Sequence, residues 1–244
     1  MKGQLDKTSL EIVAHRGYAA IFPENTMEAF RRSLDLGADS IELDIHHTKE
    51  SIPVIIHDDT LNRTTTGTGR IRDLTLADIL EADAGIKFKS EFAGCKVPLL
   101  EEALELCSER KAGLQLELKE HITEEEGRAL LQMLNIYNLI ERTIIISFHS
   151  NNLMLVRKLH PTIELGFLTD NHVALEPLTG LGRAACCLQY ELVLNKPELI
   201  REANELGLDL AVWTVRSLEI AKQLYALGIR RMTTDIPLLK SDIV

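Results

Sequence analysis

No stretch of this 244-residue chain approaches the roughly 18 consecutive apolar residues of a membrane-spanning helix, which sets a helical membrane protein aside. Its first residues carry Lys2, Asp6 and Lys7 without an apolar run behind them, so no secretory leader is expected and the cytoplasm is the expected compartment. Cysteine is scarce. Cys95, Cys107, Cys186 and Cys187 form no Cys-x-x-Cys pair and are too few to staple a chain of this length, so they read as reduced, mostly buried thiols. Positive charge is in deficit, with 27 Lys and Arg against 37 Asp and Glu and a net charge of −10. A surface that acidic repels phosphate backbones and anionic bilayers, so neither nucleic acid nor a stable membrane association is expected. Aromatic residues make up only 5% of the chain, and no aromatic or basic amphipathic stretch provides a membrane-docking face. A Pro/Gly/Ser-rich linker is also missing, which favours one domain over residues 1–244.

What is present is an αβ grammar repeated along the chain. Amphipathic helices stop at Leu36-Gly37, Leu206-Gly207 and Leu227-Gly228, and within a few residues of each a short apolar strand begins. Each glycine stands where a helix C-terminus takes a left-handed residue. Helical periodicity places helices near 26–36, 99–110, 124–139, 151–159, 197–206 and 217–227. Strands are expected at 11–14, 40–45, 53–57, 114–118, 143–147, 164–168, 184–188, 208–214 and 229–233. A parallel pair needs a crossover of about a dozen residues, and the few residues between the second and third strands cannot supply one, so 53–57 must return antiparallel. Eight parallel strands remain, the count of a TIM (β/α)8 barrel, with a small insertion after strand two over 46–98. A doubly wound open sheet is the alternative, but no Gly-x-Gly-x-x-Gly follows the first strand.

In such a barrel the chemistry sits at the C-terminal ends of the strands. Glu42 and Asp44, two residues apart, project to one face of their strand, and Glu117 and Lys119 repeat that spacing. Three carboxylates meeting in one mouth repel one another unless a cation lies between them, and oxygen ligands suit Mg2+ or Ca2+. Surface ion pairing is the ordinary alternative, but acidic residues inside apolar strands are costly without a partner. His15 and His57 each close a hydrophobic run, and two imidazoles in one mouth can divide general acid from general base. His46 and His47, adjacent in the hairpin and so facing opposite sides, read as structural or solvent-exposed. Arg16 and Lys119 add two cations suited to phosphate oxygens, or to salt bridges with Glu42 or Glu117. Together these residues suit cleavage of a phosphoester.

The same residues resemble the glycerophosphodiester phosphodiesterase family, in order and over nearly the whole chain. The resemblance is carried by His15-Arg16-Gly17, Pro23-Glu24-Asn25-Thr26, Glu42-Leu43-Asp44, the run from Pro53 to Asp58, and Asn62-Arg63-Thr64-Thr65. Glu117-Leu118-Lys119, Ser147-Phe148, Trp213-Thr214-Val215 and Thr234-Asp235-Ile236-Pro237 continue it. It implies a divalent cation, Mg2+ or Ca2+, at Glu42, Asp44 and Glu117, with His15 and His57 as acid and base. It also implies hydrolysis of a glycerophosphodiester to an alcohol and sn-glycerol 3-phosphate, with the neighbouring glycerol hydroxyl attacking phosphorus first to give a cyclic phosphate. An attack from within the substrate would explain why the motifs contain no Ser or Cys nucleophile.

Three positions depart from the family pattern: Gln115, Lys87 and Arg216. None is expected to touch the metal or imidazole set, and Lys87 and Arg216 are expected at the rim, where they would bear on the alcohol accepted. Trp213 reads equally as a wall for the glycerol carbons or as barrel filling. A phospholipase acting on intact lipids and a non-catalytic phosphodiester-binding barrel are the competing functions. The first lacks a docking surface, and the second would be favoured by loss of a carboxylate or histidine, yet all five are present. No oligomer is specified.

Overall fold

The computed structural model describes residues 9–171 and 174–244; the expectation about a leader falls on residues 1–8, outside them. The apolar runs form nine strands: β1 (Glu11–His15), β2 (Ser40–His47), β3 (Pro53–Ile55), β4 (Gly113–Leu118), β5 (Thr143–Ser147), β6 (Glu164–Thr169), β7 (Ala184–Gln189), β8 (Asp209–Val215) and β9 (Arg231–Thr234). Eight of them pair in parallel, and the pairing of β1 with β2, from Val13↔Ser40 to His15↔Glu42, closes the ring into a barrel. β3 pairs antiparallel with the far end of β2, Ile45 opposite Ile55 and His47 opposite Pro53, as the short connection requires.

The helices are α1 (Met27–Asp35), α2 (Leu76–Glu81), α3 (Leu100–Arg110), α4 (Glu124–Ile136), α5 (Ser150–Leu159), α6 (Tyr190–Asn195), α7 (Glu198–Glu205), α8 (Leu218–Ala226) and α9 (Lys240–Ile243). Thr26 caps α1 by accepting from the Ala29 amide at 3.2 Å, and Gly37 just past its end is left-handed at φ +93°. Two details differ from the sequence reading. The β6–β7 crossover, where no helix was expected, carries a 3-10 turn, Glu176–Leu181, with Pro177 near its start. α6 lies between β7 and α7, in a stretch where no helix was expected. It is only six residues long, too short for helical periodicity to show.

Leu43, Ile45, Leu116 and Leu118 face outward and pack in one cluster with Leu104 of α3 and Leu130 of α4. Their strand neighbours must therefore point into the barrel, which is how the pleat delivers polar side chains to its axis. At the N-terminal end that axis is filled by ions: Arg231 bonds Glu11 at 2.6 Å and Glu164 at 2.7 Å, and Ser40 donates to Glu11 at 2.5 Å. Above them Ile144, Ile146, Leu168, Ala185, Cys187 and Ala211 make an apolar layer. Gly166 belongs there because a Cβ would lie 2.7 Å from Ile146 and 2.8 Å from the Cys187 sulfur. The chain between β3 and α3 has its own small core, built on Val54, Ile56, Leu61, Ile71, Ile79 and Val97. Among the described residues no helix is long and apolar enough to cross a membrane.

Candidate active site

The in-register pairing of β2 and β4 sets Glu42 opposite Gln115 and Asp44 opposite Glu117. Glu42, Asp44 and Glu117 each offer an oxygen within 4.8 Å of the others, and all three are buried. Burial alone would raise all three, but they divide. Burial works against the charged form of Asp44, yet Arg16 and Lys119 hold it well below the usual carboxylate range. Glu42 is pushed well above its ordinary value by burial and by the charge of Asp44. Glu117 is pushed to about 7 by burial and Asp44, against the opposing pull of Lys119. The other Asp44 oxygen, Oδ1, is buried without a hydrogen-bond partner. Three converging carboxylates with an unsatisfied oxygen fit a hard divalent cation.

The two cations predicted for phosphate meet the carboxylates first. Lys119 Nζ donates to Glu117 Oε1 at 2.8 Å and lies 3.6 Å from Asp44. Arg16 Nε lies 3.1 Å from Asp44 Oδ2, while its Nη1 donates to Glu24 at 3.0 Å. Asn25 adds a side-chain N–H to Asp44 at 2.8 Å. A sharp turn after β1 makes this possible: Arg16, Gly17 and Tyr18 all have positive φ, and the Arg16 amide donates to Glu42 Oε2 at 3.0 Å. Gly17 is obligatory, since a Cβ there would lie 2.7 Å from the Ala29 backbone of α1.

Each predicted imidazole has an aspartate behind it. His15 Nδ1 donates to Asp235 Oδ1 at 2.5 Å, and its Nε2 lies 4.0 Å from Glu42. His57 Nδ1 donates to Asp58 Oδ1 at 2.7 Å. Burial holds His57 below its ordinary value, against the nearby Asp44 charge. Sequence reasoning took Asp235 as a landmark and gave it no role; its position just past β9, at the mouth end of the barrel, was the available signal. Arg216 Nε donates to the other Asp235 oxygen at 2.5 Å, so this departure from the family pattern meets Asp235 and reaches His15 only at one remove. Lys87 donates to the Asn62 carbonyl at 2.7 Å and so ties one loop to another within the segment that follows β3.

His46 and His47 are not solvent-exposed. Both are buried, and both approach Glu120. Glu120 Oε1 accepts from the His47 amide at 2.9 Å and from its ring at 3.2 Å; His46 Nδ1 stands 3.7 Å from Oε2. His46 Nε2 donates to the His57 carbonyl at 3.1 Å. Both rings can meet one residue because Glu120, just beyond β4, has two oxygens. The structural part of that reading stands.

A cavity of about 160 Å³ opens beside these groups. His15, Glu42, His57 and Glu117 line one side, and Ile146, Phe148, Leu168 and Trp213 the other. Trp213 Nε1 donates to the Cys187 carbonyl at 3.0 Å, and its ring meets Phe148 edge to face at 5.8 Å, so Trp213 both fills the barrel and walls the cavity.

This arrangement has relatives. The profile of the Glycerophosphoryl diester phosphodiesterase family matches residues 15–239. The glycerophosphodiester phosphodiesterase of Caldanaerobacter subterraneus subsp. tengcongensis is 37% identical over 229 residues, covering 93% of this chain and 94% of that one. That of Bacillus altitudinis is 34% identical over 241 residues, covering 93% and 95%. Among solved structures, an Oleispira antarctica phosphodiesterase in complex with the product sn-glycerol-3-phosphate superposes with a TM-score of 0.86 at 29% identity, covering 93% of both chains. The Agrobacterium tumefaciens glycerophosphodiester phosphodiesterase gives 0.84 at 26%, covering 93% of this chain and 97% of the other. Barrel, motifs and relatives agree, and the chain belongs to the glycerophosphoryl diester phosphodiesterase family.

Proposed function

We propose that this protein hydrolyses glycerophosphodiesters to an alcohol and sn-glycerol 3-phosphate, with Glu42, Asp44 and Glu117 holding a divalent cation and His15 and His57 moving the protons. The observation that carries the reading is the buried carboxylate trio, its oxygens within 4.8 Å of one another, beside two histidines that line the same cavity. A bound Mg2+ or Ca2+ would supply charge stabilisation for the phosphate oxygens and the attacking oxygen.

Each imidazole donates through Nδ1 to its aspartate, which leaves Nε2 to exchange a proton. The glycerol hydroxyl next to the phosphate attacks phosphorus, one imidazole takes the hydroxyl proton, and the other protonates the alcohol oxygen as its bond to phosphorus breaks. Water then opens the cyclic phosphate with the roles reversed, and the bond formed in the first step is the one that breaks. Arg16 and Lys119, released from Asp44 and Glu117, would turn to the phosphate oxygens. Trp213 and Phe148 would pack against the glycerol carbons.

A net charge of −10 and the small mouth support small soluble diesters over nucleic acid or an anionic bilayer. The test is a panel: glycerophosphocholine, glycerophosphoethanolamine, a glycol analogue lacking the neighbouring hydroxyl, and intact phospholipid. Turnover of the first two with glycerol 3-phosphate as common product, and little of the analogue, is expected. Equal rates on the analogue would rule out hydroxyl-assisted attack, and preference for diacylated lipid would move the assignment to a phospholipase.

A further inference from the structure

Arg63 lies in the segment that follows β3, in the Asn62-Arg63-Thr64-Thr65 stretch that neither metal binding nor proton transfer has used. Its guanidinium is engaged on two sides. Toward Asp58 it donates from Nε to Oδ2 at 2.7 Å and from Nη2 to Oδ1 at 2.8 Å. Toward Glu24 it donates from Nη1 to Oε2 at 2.9 Å and from Nη2 to Oε1 at 2.8 Å. Asp58 Oδ1 is the atom that also accepts from His57 Nδ1, and Glu24 Oε1 is the atom that also accepts from Arg16 Nη1. The contacts make one alternating chain of charge: His57, Asp58, Arg63, Glu24, Arg16, Asp44.

We infer that Arg63 is a positioning residue: it fixes the Asp58 carboxylate that orients His57 and shares Glu24 with Arg16, so one side chain sets both the proton-transfer group and the phosphate-facing cation. The inference rests on the proposed function above. Asp58 is partly open to water, and with Arg63 removed its remaining side-chain partner is the ring it must orient. The Arg63 hydrogen bonds, first among several causes, also hold Asp58 well below the usual carboxylate range, keeping it an acceptor for the Nδ1 proton. Glu24 without Arg63 would turn its whole charge on Arg16 and compete with a phosphate for it. A lysine cannot replace this residue in full, because an ammonium lacks the planar fork that serves two carboxylates at once. Arg63 is itself 47% exposed and packs into no core cluster, so its loss should disturb orientation more than folding.

The experiment compares wild type, Arg63→Ala, Arg63→Lys and His57→Ala on glycerophosphocholine, recording kcat, KM and the thermal midpoint. The expected result for Arg63→Ala is a kcat lowered about tenfold or more at a near-normal thermal midpoint. Millimolar guanidinium should restore part of that loss, and sodium at equal ionic strength should not. Arg63→Lys should recover only a fraction. A wild-type kcat in Arg63→Ala beside an inactive His57→Ala overturns the positioning role, as does a raised KM at unchanged kcat, which would make Arg63 a substrate contact. A fall in kcat that tracks a lowered thermal midpoint and resists guanidinium rescue also overturns it. If His57→Ala itself keeps full activity, the acid–base reading falls and this inference with it.

Discussion

Glu42 and Glu117 are pushed up by burial and by the ionised Asp44 between them, so below about pH 7 a cation arriving at the trio must displace a proton from Glu117. Protons therefore compete with the metal at low pH, and the apparent affinity for Mg2+ or Ca2+ should rise with pH through about 7 as Glu117 loses its proton. Calorimetric titration on either side of pH 7, in buffers of different ionisation enthalpy, would show proton uptake by the buffer on the acid side; affinity independent of pH would contradict it. Among the histidines, His15→Ala and His57→Ala should each lower kcat by about 100-fold or more while leaving cation affinity near normal. His46 holds the His57 carbonyl and not its ring, so His46→Ala should cost on the order of tenfold. Equal damage from His46→Ala and His57→Ala would mean that the acid–base pair is misassigned. At this scale the sequence was readable wherever a role follows from spacing within one strand, as for Glu42 and Asp44. It was unreadable where the partner lies far along the chain: Asp235 reaches His15 across 220 residues, and Glu120 reaches His47 across 73.

Strands and turns carry the site as much as its side chains do. The pleat of β2 and β4 could be read directly, since alternation of Leu43, Ile45, Leu116 and Leu118 with acidic residues leaves one arrangement that buries the leucines. The return of β3 followed from a connection too short to cross over. The 3-10 crossover before β7 carries no comparable pattern and was not expected. The β1–α1 turn is where an element-level change should be most damaging. Gly17 has φ +80° and no room for a Cβ against α1, so Gly17→Ala should destabilise the protein by about 2 kcal/mol or more and displace the Arg16 amide from Glu42. Denaturant unfolding reads the first effect and cation affinity the second. Wild-type values for both would show that the turn does not depend on glycine.

Across the whole molecule the barrel separates its charges. At the N-terminal end Arg231 and Arg183 pair with Glu11 and Glu164, while at the mouth Arg16 and Lys119 stand beside three carboxylates. The chain carries a net charge of −10, while the substrates proposed above are anionic diesters. A divalent cation together with Arg16 and Lys119 is proposed to offset that repulsion and hold the phosphate. The eightfold count, and with it a closed barrel, was legible in the sequence; the register of β1 against β2, which sets Glu42 beside His15, came only from the structure. The most direct measurement is the release of sn-glycerol 3-phosphate from glycerophosphocholine by exhaustively chelated protein, before and after Mg2+ or Ca2+ is restored, with Glu117→Gln in parallel. Negligible turnover after chelation, recovery on adding the cation, and a folded Glu117→Gln that needs far more cation for the same rate are expected; full turnover by the chelated protein would rule out a required metal at Glu42, Asp44 and Glu117.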